Sequence, residues 1–176
     1  DFMAQVHRHA GGNAEAKASE MEHAIRKHCT VHFDEDPAFY KKLSEKLEKL
    51  IEEHKNQWDL LAKEMEPLVH DAAGGRKSDG EGTVKEVKIF EDYIADLAFG
   101  AQEIPVEHHT KFAVLVSKMV ESLQSTIDII NFWDKFIEVK KLRGDIGTEL
   151  QLCGIPELAE RHERIAVEVV KLAEKR

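Results

Sequence analysis

Cysteine occurs twice and proline four times in 176 residues, glycine ten times, and aromatic residues make up only 7% of the chain. Cys29 and Cys153 lie far apart with no partners at metal-ligand spacing, so neither a disulfide framework nor a zinc site is indicated. Both read as small buried hydrophobes. With few helix breakers and abundant Leu, Ala, Glu and Lys, the composition points to helix and excludes collagen, long disorder and a many-stranded β-sandwich. No apolar run approaches the roughly 18 residues of a membrane span, and the N-terminus lacks a basic, then apolar, then small-residue secretory pattern. A soluble, cytoplasmic protein with no membrane partner is expected. Positive charge is also short: 25 Lys and Arg against 34 Asp and Glu leave a formal charge of −9, which argues against non-specific affinity for nucleic acid.

What is present is apolar periodicity at three-to-four spacing. Length favours one domain over two. Ala14, Ala18, Met21 and Ile25 mark a first amphipathic helix from Asn13 to Cys29, broken over residues 30–36. Asp36-Pro37 supplies an N-cap acid followed by proline at the first helical position, where a missing N–H costs nothing. Leu43, Leu47, Leu50, His54, Trp58, Leu61, Met65 and Leu68 then recur without interruption, so residues 37–71 read as one rod of about 50 Å that needs a partner along one stripe. Pro67 falls near its end, at a natural point for a kink. Residues 73–82, AGGRKSDGEG, have no apolar anchor and read as an exposed, flexible loop.

A third helix carries Val87, Phe90, Ile94 and Leu97 and ends at Gly100; a fourth carries Phe112, Leu115, Val116, Met119, Val120, Leu123 and Ile127. Asn131 reads as the N-cap of a fifth, with Phe132, Phe136, Val139, Leu142, Ile146 and Leu150 on its stripe and a soft middle at Gly144 and Gly147. Gly154-Ile155-Pro156 stops one helix and starts a sixth through Leu158, Ile165, Val169 and Leu172. The expected fold is all-α: a bundle of about six helices including one long rod, with the rod and the last two helices supplying most of the core.

Ten histidines invite a metal reading. His28 and His32 are four apart, but the helix is expected to end between them, so His23, His28 and His32 read as surface or capping residues. Asp34-Glu35-Asp36 reads as favourable negative charge at a helix N-terminus. His70-Asp71 resembles the paired ligands of HD-class metal phosphohydrolases, yet it stands beside the Gly-rich loop, a poor platform for fixing a ligand. Gly74-Gly75-Arg76-Lys77-Ser78 lacks both the spacing and the preceding strand of a phosphate loop. No nucleophile signature is present. Lys135, Lys140, Lys141 and Arg143 form one locally basic stretch on the fifth helix, read first as a solvated face and second as a DNA-contacting one. Trp58 and Trp133 fall on apolar phases and read as packing.

The stretches DFMAQVHRHAGGNAEAKASEMEHAIRKHC, VHFDEDPAFYKKLSEKLEKLIEEHKNQWDLLAKEM, FWDKFIEVKKLRGDIGTELQL and IPELAERHERIAVEVVKLAEKR resemble the C-terminal end of the restriction (R) subunit of type I restriction–modification enzymes. Asp1 in place of an initiator Met, with the helical pattern already under way, fits a piece of a longer chain. The resemblance implies that residues 1–176 are a single C-terminal helical domain of a subunit that is an ATP-dependent DNA translocase and endonuclease acting on unmodified foreign DNA. It places the nuclease motif, the RecA-like motor and their ATP and magnesium elsewhere in the parent, and assigns no catalytic, cofactor or metal residue here. Its implied role is docking the motor onto the methyltransferase and specificity subunits, with the parent's own helicase domains and DNA as further partners.

Overall fold

The computed structural model describes residues 13–76 and 83–176. Among them are eight α-helices and no strand. No helix of the described residues is long and apolar enough to cross a membrane. The chain divides into two compact units, residues 1–79 and 80–176, where its length had suggested one domain. Each unit closes its own apolar core.

The first unit holds α1 (Ala14–His32), α2 (Pro37–Glu53) and α3 (Trp58–Gly74). Asn13 caps α1, its side chain accepting from the Ala16 amide at 2.8 Å. Asp36 caps α2 as its sequence indicates, accepting from the Phe39 amide at 3.1 Å, with Pro37 at the first turn. The expected rod over 37–71 is instead two helices. Between them Asn56 takes φ 65°, a left-handed conformation that asparagine tolerates better than most side chains. The polar run EEHKNQ offers no apolar residue to hold a continuous helix against a partner, so the stripe folds back on itself. Lys17 Nζ lies 3.0 Å from Glu66 Oε1, Arg26 pairs with Glu48, and Arg76 pairs with Asp36. These ties make α1 and α3 parallel and α2 antiparallel to both. Met21, Ile25, Leu47, Leu61 and Met65 are almost wholly buried between them.

The second unit holds α4 (Thr83–Phe99), α5 (His109–Ile127), α6 (Phe136–Leu152), α7 (Pro156–Glu160) and α8 (His162–Glu174). Gly100 ends α4 at φ 64°, its amide donating to the Asp96 carbonyl at 2.9 Å, as the sequence indicates. The expected sixth helix breaks at Arg161, which leaves helical geometry and donates to the Ala98 carbonyl; this break and the one at Asn56 raise six helices to eight. Tyr93 donates to Glu168 at 3.2 Å and Arg176 Nε to Glu86 at 2.7 Å, so α4 and α8 are antiparallel. Their core joins Ile94, Phe112, Val116, Leu123, Leu150, Ile155, Leu158 and Ile165.

Three local expectations change. Asn131 is no N-cap: it sits at φ 55° in the turn after α5, and α6 begins at Phe136 with Lys135 as its cap residue. Asparagine suits both N-caps and left-handed turns, and here the second use prevails. The middle of α6 is not interrupted. Gly147 is buried there against α8, and a Cβ on it would lie at ordinary contact distance, 3.8 Å, from both Ala166 Cβ and His162 Cδ2. The expected loop 73–82 loses its first residues to α3, which extends to Gly74, and Arg76 is held by Asp36; residues 77–82 lie outside the described residues.

Candidate functional site

The basic stretch on α6 is exposed throughout, but it is not one face. Lys140 and Arg143, one turn apart, line a cleft between α6 and α8 together with Gly144, Thr148, Gln151, His162 and Glu163. Lys141 points to the other side, where it lines a cleft with Thr126, Glu138, Asp145 and Glu149 from α5 and α6. Lys135 stands at the helix start, where a cation opposes the macrodipole. Helical rotation of about 100° per residue is what separates neighbours 140 and 141. Among the described residues none of the four side chains forms an ion pair or hydrogen bond. Two cations therefore share one cleft, and the third faces carboxylates.

Beside them lies a feature the sequence reading missed. Ile129 is half exposed, Ile130 is 82% exposed, and Phe136 and Ile137 are each 78% exposed, all within the connection from α5 to the first turn of α6. Ile127, at the end of α5, adds to the run. Phe132 is buried and meets Trp133 edge-on at 5.1 Å, fixing the middle of the connection to the core while its flanks face water. The sequence carried a signal: Ile129-Ile130 and Phe136-Ile137 are adjacent apolar pairs, and no single helix face buries both members. Assigning Phe136 to a core stripe running from Asn131 hid it.

The histidine candidates separate. His70 is exposed on the last turns of α3, next to the half-buried Asp71. Among the described residues no group of three or more His, Cys, Asp or Glu side chains converges as a metal site. At its C-terminal end α1 does not stop between His28 and His32 but continues through both. Their rings lie 4.3 Å apart and each faces Tyr40, at 5.9 and 6.1 Å. His32 Nδ1 is 2.7 Å from Glu35 Oε1. Burial, and then the neighbouring His32, lower the pKa of His28, while the Ala72 carbonyl and Glu35 act to raise it. Burial raises Tyr40, with Glu35 and Asp36 adding to it. Cys29 is buried and its thiol is pushed up by desolvation, an unreactive setting. Cys153 is only half buried and packs on the second core. Trp133 packs there too, whereas Trp58, at the first position of α3, is partly exposed rather than core.

Comparison of the chain with protein-family models, with curated proteins and with solved structures finds no match.

Proposed function

We propose that this chain is a non-catalytic docking region from the C-terminal end of a type I restriction enzyme R subunit, attaching the motor to the methyltransferase and specificity subunits in the cytoplasm. The resemblance of four stretches supports the family. The exposed run Ile129, Ile130, Phe136 and Ile137 carries the docking role. Removing one such side chain from water is worth about 1.5–3 kcal/mol, and apolar side chains concentrated at one surface are the usual mark of an interaction site. ATP and magnesium belong to the parent's motor in this reading.

The test is size-exclusion chromatography with light scattering, on the chain alone and mixed with the methyltransferase–specificity complex. Co-migration that Phe136→Asp and Ile130→Asp abolish is the expected result. Failure to co-migrate, or deletion of the region leaving assembly and restriction intact in the full subunit, overturns it.

A second reading, DNA contact, is favoured by Lys140 and Arg143 sharing a cleft with no ion-pair partner among the described residues. It requires duplex binding that falls steeply with salt and is lost on charge reversal of Lys140, Lys141 and Arg143. A flat salt response removes it.

A further inference from the structure

We propose that His28 and His32 form a two-imidazole site for a borderline divalent transition ion, zinc in the first instance, on the last two turns of α1. The inference is independent of the docking surface, which lies in the other unit. Its ground is the length of α1. Because the helix runs to His32, the two residues stand at i and i+4 on one face, the spacing that lets two imidazoles meet one ion. Nitrogen ligands about 2.0–2.1 Å from a metal put two ring centres roughly 4.5–5 Å apart. The observed separation is 4.3 Å, with the ring planes tilted by 39°.

Each ring is oriented by an acceptor, as metal-bound histidines are. With the Glu35 carboxylate 2.7 Å away, Nδ1 of His32 is the donor to it, which leaves Nε2 as the nitrogen to meet an ion. The Ala72 carbonyl, from the last turns of α3, holds a proton on the His28 ring in the same way. Both rings are half buried. Two imidazoles fall short of a closed three- or four-ligand structural site, and water completes the coordination. Tyr40 packs on both rings and limits their rotation.

The experiment is thermal unfolding of the full chain followed by circular dichroism at about pH 7.5, after chelator treatment, with zinc chloride or magnesium chloride added. Zinc at about a hundred times its dissociation constant is expected to raise the midpoint by about 5 °C or more, and magnesium to do nothing. His28→Gln and His32→Gln each lose the shift, while His23→Gln, exposed on an earlier turn, keeps it. No zinc response in the wild-type chain overturns the proposal. So does a response that survives both substitutions, since the chain has eight other histidines to supply it. Should a variant fail to fold, the imidazole resonances of the wild-type chain decide: His28 and His32 must shift together with zinc while His23 does not.

Discussion

Arg76 grips Asp36 with two arms of its guanidinium, Nε to Oδ2 at 2.6 Å and Nη2 to Oδ1 at 3.0 Å, while the same carboxylate caps α2 through the Phe39 amide. Both side chains are largely out of solvent. One carboxylate thus starts a helix and fastens the chain leaving the next one. Asp36→Ala removes the cap and the two-armed contact to a largely buried guanidinium, so a loss of about 3 kcal/mol is expected. Arg76→Lys recovers little of what Arg76→Ala loses, because an ammonium has no fork to match two oxygens. Urea unfolding of the three variants measures both effects.

Core truncation is expected to act within its own unit. Met65 and Leu150 are both fully buried, one in each core. Met65→Ala and Leu150→Ala are each expected to cost about 2–5 kcal/mol. Amide hydrogen exchange read by mass spectrometry shows where: faster exchange in α1–α3 for the first and in α4–α8 for the second.

The glycines of the second unit predict opposite signs. A Cβ at Gly144 meets nothing, so Gly144→Ala is expected to stabilise by up to about 1 kcal/mol through helix propensity alone. Gly154 sits at φ 72°, and a Cβ there would fall 2.7 Å from Lys111 Nζ. The lysine can swing aside, but the left-handed backbone cannot be relieved, and Gly154→Ala is expected to destabilise by about 1–2 kcal/mol. Thermal melts of the two variants move in opposite directions.

The chain has two tyrosines, and both hold their protons above the ordinary range. Tyr93 is pushed up to about 12 by burial first, then by the charge of Glu168 and the hydrogen bond to it. A phenol whose folded pKa is raised supports the fold below its unfolded value near 10, and that support is lost as pH climbs towards 12. Phenolate absorbance is therefore expected to appear later in the folded chain than in urea, and Tyr93→Phe removes the later part of the rise. His28 has the opposite sign: its lowered pKa means stability complete above 6.5 and lost as pH falls below it. An acid titration of unfolding free energy, flattened by His28→Gln, checks this.

Legibility in the sequence followed the range of the interaction. Asp36-Pro37, Gly100 and Gly154-Ile155-Pro156 were readable because a cap is settled within a few residues. The break at Asn56 was not, since Leu47 and Leu61 keep one helical phase across it, and only packing onto α1 decides that the two halves fold back. His28 and His32 were misjudged by one helical turn at the end of α1, which decided whether they share a face. The exposed pairs Ile129-Ile130 and Phe136-Ile137 were visible as residues, but their exposure depends on where α6 begins. That point was hidden by the double use of asparagine.

The Asp36–Arg76 clasp has a topological consequence. The chain enters and leaves the α2–α3 hairpin at a single point, so the stretch between two residues forty apart in number traces a closed circuit. The turn at 54–57 is the far pole of that circuit, a helix length of about 25 Å away for 17 residues. A peptide spliced into it would be displayed at the end remote from the clasp, beside the start of α1 at Asn13, Ala14 and Glu15.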